Sequence, residues 1–241
     1  QVEGEVTVVE SDIFDQAEKM EKSRVQSKDT SGGFFETPYT LSVLMANVAG
    51  PRGSILEPSA GRGSLLKFIP SGLPVTAIER RSDNLEVLRK AGFDPVAGDF
   101  VEWAKTAPQN FDTVLMNPPF ERLAGVGAQD AAHVQLAFDL LAPGGRLVAI
   151  VGEGVFFRDF AQERAFRSWL DENGAIVVKL PENAFRRSGT GVRTRMIVMD
   201  KGSPAGRSDL ALDDMGIDAI RDIAAAIPGR PEGIPLRSQP M

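Results

Sequence analysis

Short apolar runs alternate with helical patterns from residue 54 onward, and this alternation limits the possible folds more than any other feature of the chain. SILEP (54–58) precedes GSLLKFI, VTAIE (75–79) precedes SDNLEVLRKAG, and PVAGD (95–99) precedes FVEWAKT. DTVLMN (112–117) precedes AQDAAHVQLAFDLLA, and LVAIV (147–151) precedes FRDFAQERAFRSWLDENG. Each apolar run suits a buried strand, and each helical stretch can carry the chain back to start a neighbouring parallel strand. IVVKL (176–180) and RMIVMD (195–200) close the series with only a loop between them. That loop is too short for a parallel crossover, so the pair is expected to be an antiparallel hairpin at the sheet edge. The predicted architecture is α/β: a seven-stranded, mostly parallel sheet with helices on both faces.

The flanks read differently. Residues 1–32 are polar, weakly periodic and end in the breaker-rich DTSGG, which predicts an N-terminal extension with one helix. Thr37 and Pro38 supply an N-cap and a first helical position, after which Leu41, Leu44, Met45 and Val48 fall on one face. The main domain is expected over 33–202, followed by a linker, one helix near DDMGIDAIRDIAAAI and a Pro/Gly-rich tail over 203–241. The chain opens on Gln, consistent with a processed product or a piece of something larger. No apolar stretch nears the ~20 residues needed to cross a bilayer, and the start lacks a signal-peptide pattern, so a cytoplasmic location with no membrane partner is expected.

Composition removes whole classes of chemistry. There is no cysteine, which excludes disulfides, thiolate metal sites and a thiol nucleophile, and the single histidine, His133, excludes a histidine-rich metal centre. No metal site is expected. The net charge of −6 argues against a protein that coats nucleic acid nonspecifically, although FRRSGTGVRTR (185–195) packs four arginines into eleven residues and is a candidate basic face.

Ligands of an open, Rossmann-like parallel sheet bind at the carboxyl ends of its strands. After the first run comes EPSAGRG, where Gly61 and Gly63 permit a tight turn. The second run ends in Glu79, about twenty residues on, where such folds place an acid that takes ribose hydroxyls. The third ends in Gly98, Asp99 and Phe100, an acid and an aromatic suited to an adenine's amine and ring. Each has an ordinary structural explanation alone, as a strand-helix turn or a solvated strand end; together they point to a nucleoside cofactor. The turn is not G-x-G-x-x-G, and Glu57 puts a carboxylate where a pyrophosphate would want positive surroundings. A cofactor with a cationic end fits better, and S-adenosyl-L-methionine carries both a sulfonium and an ammonium group.

The fourth run stops at Asn117-Pro118-Pro119-Phe120. An exocyclic amine on a nucleobase is a poor nucleophile because its lone pair is delocalised into the ring. It needs acceptors that hold its hydrogens and localise that pair. Asn117 offers a side-chain carbonyl and Pro118 a backbone carbonyl, and proline contributes a fixed φ with no competing N–H. Phe120 offers a face on which a base turned out of its stack can lie. The rival explanation is a Pro-Pro turn with Phe120 tucked into the core.

With these residues assembled, the chain resembles the class I S-adenosylmethionine-dependent methyltransferases. More narrowly, it is similar to the DNA adenine-N6 (amino) methyltransferases, including small forms common in phages and mobile elements. The resemblance spans about residues 33–201, through GGFFETPYTLSVLM, ILEPSAGRG, AIER, AGDF, MNPPF and SGTGVRTRMIVM. It implies that Phe35, Thr37, Pro38, Glu57, Pro58, Ser59, Ala60, Gly61, Gly63, Glu79, Arg80, Asp99, Phe100 and Asn117 hold the cofactor. It implies that Asn117, Pro118, Pro119 and Phe120 are catalytic, and that Phe120, Arg187, Thr190 and Arg193 meet the substrate. Direct in-line transfer follows, with orientation contributing most of the acceleration and no covalent enzyme intermediate. NPPF is specific for amino-group methylation but less so for substrate, since RNA enzymes acting on adenine-N6 or guanine-N2 and a glutamine methyltransferase carry near relatives of it. The absent cysteine independently excludes cytosine-C5 methylation.

The implied substrate is therefore nucleic acid, DNA ahead of RNA, with a noncatalytic cofactor-binding scaffold in a larger complex as a reading of a different class. Only about 32 residues precede the core and 40 follow it, which implies low sequence specificity unless additional domains or a partner protein supply recognition. ERLAGVGAQD, with Gly125 and Gly127, reads as a lid or as a plain surface loop. His133 follows Asp130 by three residues and suggests a hydrogen bond at the helix start. Arg186, Arg187, Arg193 and Arg195 are phosphate ligands or solvated charges, and Trp103 and Trp169 are packing residues.

Overall fold

The computed structural model describes residues 11–23, 35–123, 127–188 and 191–230. Its main sheet contains β1 (Ile55–Glu57), β2 (Val75–Glu79), β3 (Val96–Ala97), β4 (Phe111–Met116), β7 (Leu141–Gly152), β8 (Ile176–Lys179), β9 (Thr194–Asp200) and β10 (Ser208–Ala211). The spatial order is β10-β8-β9-β7-β4-β1-β2-β3. Every neighbouring pair is parallel except those of β9, which runs antiparallel to both β7 and β8. From β1 the chain steps outward to β2 and β3, whereas β4 lies on the other side of β1. The order therefore reverses between β1 and β4, which opens a crevice above their carboxyl ends.

Helices cover both faces. On one, α1 (Ser11–Ser23), α2 (Tyr39–Ala49) and α8 (Ile217–Ala226) bury Phe14, Leu44 and Ile220 in a core shared with Val148 and Val198 of the sheet. On the other, α4 (Phe100–Ala104), α5 (Gln129–Asp139) and α7 (Ala161–Glu172) bury Phe100, Val134 and Phe166 against Val114, Ala149 and Ile197. Successive residues of β7, such as Val148 and Ala149, thus feed opposite cores, which is why LVAIV is continuously apolar rather than alternating. A smaller cluster of Leu66, Ala77 and Leu88 seats α3 (Ser82–Lys90), and α6 (Gly154–Phe157) is a single turn after β7.

Several expectations shift. The sheet has eight strands, not seven: β10 lies in the segment predicted as linker and pairs parallel with β8. The β8–β9 pair is antiparallel as expected, but β10 occupies the edge outside it. SDLA is mostly exposed and has no apolar run, so it carries none of the signal that marks the buried strands. GSLLKFI forms only a 3-10 turn at Leu66–Phe68. Strand β7 starts six residues before LVAIV and takes an irregularity opposite Phe111 to Thr113. There Gly145 passes so close to the Phe111 and Ala142 carbonyls that a Cβ would meet both at 2.8 Å.

Helix α2 begins at Tyr39 with Pro38 as its N-cap, one residue later than predicted. Thr37 does not cap it. Instead Glu21 of α1 accepts a hydrogen bond of 2.8 Å from the Tyr39 N–H, placing a carboxylate at the positive end of the helix. At the other end Gly50 takes the left-handed conformation (φ 49) and returns its N–H to Ala46 and Asn47.

Candidate active site

Three cavities meet above the carboxyl ends of β1 and β4. The first is lined by Pro58, Ser59, Glu79, Arg80, Asp99, Phe100, Pro119 and His133. The second is lined by Thr37, Glu57, Ser59, Ala60, Gly61 and Ser64. The third, of about 510 Å³, lies beyond Phe120 and is lined by Asp130, Gly152, Glu153, Phe157, Arg158 and Arg193. Phe35 borders all three, and Asn117 borders the first two.

The glycine turn is fixed from β2. Glu79 is buried, and its Oε2 accepts from the Gly61 N–H at 2.7 Å while its Oε1 accepts from the Arg81 N–H at 2.7 Å. A carboxylate has about four acceptor positions, so two remain for a ligand in the first cavity. Gly61 and Gly63 both have positive φ, 54 and 78, which confirms the need for glycine there. Gly63 also faces α3, where a Cβ would meet Leu88 Cδ2 at 2.9 Å. Asp99 caps α4, its Oδ1 accepting from the Val101 and Glu102 N–H groups. Phe100 is buried and still forms part of the cavity wall.

Glu57 closes β1 fully buried, and its Oε2 has no hydrogen-bond partner. Burial, and second the Glu79 carboxylate, hold its pKa well above the ordinary carboxylate range. A buried carboxyl oxygen without a partner at a cavity wall is costly until a cation or donor arrives.

His133 answers differently from the sequence expectation. It makes no helix-start bond; Asp130 does that, accepting from the Ala131 N–H. The His133 ring is 4% exposed, lines the first cavity, and has both ring nitrogens unpartnered. Burial lowers its pKa, with Asp99 opposing and Arg80 adding to the shift, so the imidazole is neutral at pH 7. Edge-on contact with Phe100, at 5.5 Å between ring centroids, sets its orientation.

Between the first two cavities, the Asn117 Nδ2 donates to the Phe35 carbonyl at 2.8 Å and to Thr37 Oγ1 at 3.1 Å. A carbonyl only accepts, which settles which end of the amide is which. Both amide hydrogens are consumed, and Oδ1 is left buried without a partner. The Thr37 hydroxyl that sequence assigned to a helix cap therefore orients the Asn117 amide. Phe120 is half-buried rather than exposed, lying near-parallel to Phe35 at 6.2 Å and edge-on to Phe185 at 6.2 Å. Pro118 is buried.

The arginine-rich stretch is less free than its sequence suggests. Arg193 borders the third cavity and is exposed, but pairs with Glu182 at 2.7 Å. Arg195 is turned inward, over Phe156 at 4.3 Å and against Glu153 at 3.2 Å, so it braces the end of β7. Arg186 is exposed. Thr190 and the Arg187 side chain lie outside the described residues, as does Gly125 of the proposed lid. What is described of that loop is a short antiparallel pair, β5 (Arg122–Leu123) with β6 (Gly127–Ala128).

The end of β7 is the part that sequence reasoning passed over. Gly152, Glu153 and Val155 line the third cavity, and Asp130 bridges to them by accepting from the Gly152 N–H at 2.7 Å. GEG after LVAIV is a legible signal, since it stands at the same strand-end position as Glu57, Glu79 and Asp99. Burial raises the Asp130 pKa to about 6, against the opposing bonds from Gly152 and Ala131. A raised acid binds its proton more tightly folded than unfolded. Its contribution to stability is therefore full below the ordinary value near 4 and is lost as pH rises through about 6. Unfolding free energy followed by urea titration between pH 4 and 7 should fall more steeply for the wild type than for Asp130→Asn.

Among solved structures, a type I restriction-modification methyltransferase subunit from Streptococcus thermophilus superposes with a TM-score of 0.69 at 20% identity, over 83% of this chain and 54% of that one. A modification subunit of a type I restriction enzyme from Vibrio vulnificus gives 0.62 at 19% identity, over 82% and 50%. A class I S-adenosylmethionine-dependent methyltransferase from Listeria monocytogenes gives 0.63 at 15% identity, over 91% and 80%. The chain thus spans about half the length of the two type I subunits it matches. These likenesses establish the fold. The family comes from the sequence match: residues 90–220, more than half the chain and including Asn117 to Phe120, fit the N-6 DNA methylase model, and the protein belongs to that family.

Proposed function

We propose that this chain is the catalytic part of an enzyme that transfers a methyl group from S-adenosylmethionine to the N6 amine of adenine in DNA. The observation that carries the reading is the Asn117 amide: its hydrogens are held by Phe35 and Thr37, and its buried oxygen is unpaired at a residue that borders the first two cavities. An acceptor fixed in that way pulls on an amine hydrogen without competing as a donor.

The residues present fit the cofactor. Glu57 offers a buried carboxyl with an orphaned oxygen, and a cationic group seated on it offsets the burial that raises its pKa. Glu79 has acceptor positions to spare for ribose hydroxyls, and Asp99, Phe100 and neutral His133 surround the space for a purine. When bound, S-adenosylmethionine supplies an electrophilic methyl carbon on sulfur. The chain's own work is to receive adenine in the third cavity and hold its amine on Asn117 Oδ1 and the Pro118 carbonyl. Phe35 and Phe120 then limit how the ring can lie. No thiol or metal is called upon. Orientation of this kind can contribute about 7–11 kcal/mol to lowering a bimolecular barrier.

Because the chain covers only about half of the type I subunits it resembles, further domains or subunits are assigned the recognition of sequence. The deciding experiment incubates the protein with methyl-labelled cofactor and, separately, duplex DNA, single-stranded DNA, RNA and protein, then identifies the labelled product. N6-methyladenine from DNA is expected. Label confined to RNA or protein, or no transfer to any of them, would refute the reading. Mapping the labelled adenines gives the sequence context.

A further inference from the structure

Phe157 is 70% exposed, the most exposed large apolar side chain among the described residues. A single exposed ring needs no explanation by itself, but this one is braced. The Arg167 Nη1 donates to the Val155 carbonyl at 2.7 Å and to the Arg158 carbonyl at 2.9 Å, fixing the backbone on both sides of Phe156 and Phe157. Val155 is buried, and Phe156 is covered by the Arg195 guanidinium. The turn is thus anchored at three points while its remaining ring faces water. That ring borders the mouth of the 510 Å³ cavity assigned to the target adenine, with Arg158 beside it at 6.0 Å and in no ion pair among the described residues.

Resting on the function proposed above, we infer that Phe157 is a stacking wedge for duplex DNA. When an adenine leaves the helix for the cavity, its neighbour loses a stacking face, and that loss is a main cost of turning a base out. A rigid aromatic at the cavity mouth replaces the lost face without paying to order itself. Arg158, on the same turn, is placed to meet the adjoining phosphate. Glu121 and Glu153 also border this cavity, so the chemistry favours a stacked base with one phosphate contact over a long backbone track.

The test uses the full chain and a duplex carrying the adenine context mapped above, alongside the same duplex in which the nucleotides flanking the target adenine are abasic, so that no neighbouring base remains to lie on the ring. Phe157→Ala is expected to lower kcat/KM about tenfold on the paired duplex and less than twofold on the abasic one, with unchanged cofactor affinity and melting temperature. Phe157→Trp is expected to retain activity, and its added indole emission should be quenched by DNA beyond the signal of Trp103 and Trp169. Equal rates for Phe157→Ala and wild type on the paired duplex would overturn the inference alone. So would an equal loss on both duplexes, or a variant altered only in self-association, which would mark the ring as a protein interface. Should the wild type transfer nothing to DNA, the function proposed above fails; the wedge then falls too if DNA leaves the Phe157→Trp emission unchanged, and survives as a DNA contact if it is quenched.

Discussion

Asn117→Ala abolishes methyl transfer, with a fall in kcat of a thousandfold or more expected, while cofactor affinity measured by calorimetry changes little. The magnitude follows from removing a preorganised polar group aimed at charge that develops in the transition state, typically worth about 10²–10³ in kcat for one such group, here with the loss of geometric restraint added. The fall should appear in kcat rather than KM, because the Asn117 oxygen matters most as the amine gains positive charge. Asn117→Asp is the sharper control. It keeps an oxygen in place but sets a carboxylate against the Phe35 carbonyl, where an N–H now donates at 2.8 Å. The side chain must turn away or protonate, so activity should be lost as completely as in the alanine variant. If either variant turned over at a tenth of the wild-type rate or better, the acceptor role would be wrong.

The parts of this site that were legible in sequence are those that strand ends impose locally. Glu57, Glu79, Asp99 and Asn117 each close or follow an apolar run, and a parallel sheet brings such positions to one edge regardless of the details of the helices. What connects them was not legible. The pairing of Asn117 with Thr37 spans 80 residues, and that of Gly61 with Glu79 spans 18. Neither leaves a periodicity to read. Thr37 illustrates the ambiguity: next to Pro38 its local signal is an N-cap, yet Glu21 from a segment predicted as a mere extension performs that task, and the threonine hydroxyl accepts from Asn117. His133 departs from its local signal for a related reason. Three residues from Asp130 it has a plausible local partner, and only the packing of α5 against α4 turns it toward the cavity. The charge pattern of FRRSGTGVRTR points the opposite way, since Arg193, just ahead of β9, pairs with exposed Glu182, whereas Arg195, within β9, lies over Phe156 and against Glu153. Strand β10 shows the same limit for the fold: an exposed edge strand of Ser, Asp, Leu and Ala is specified by its neighbour β8, not by its own composition.

At the opposite end of the sheet, Arg146→Ala is expected to destabilise the protein by about 3–5 kcal/mol, the usual cost of breaking a buried ion pair from one side. The Arg146 side chain is 3% exposed. Its Nε and Nη2 donate to the two carboxylate oxygens of Asp200 at 2.7 Å each, across the β7–β9 pair in which the two residues face one another. The remaining hydrogens reach the Val48 carbonyl near the end of α2 at 2.9 Å and the Pro228 carbonyl after α8 at 3.1 Å. One guanidinium therefore ties two strands to the ends of two helices on the same face. Truncation leaves an uncompensated carboxylate and two carbonyls facing a cavity, whereas Arg146→Lys supplies a charge without the planar fork and should recover only part of the loss. Because Asp200 carries the uncompensated charge in Arg146→Ala, the double variant Arg146→Leu/Asp200→Leu should be more stable than the single alanine variant despite changing more atoms. Urea denaturation of the three proteins measures the order directly. A double variant less stable than Arg146→Ala would mean that the packing of the four segments, rather than the stranded charge, sets the cost.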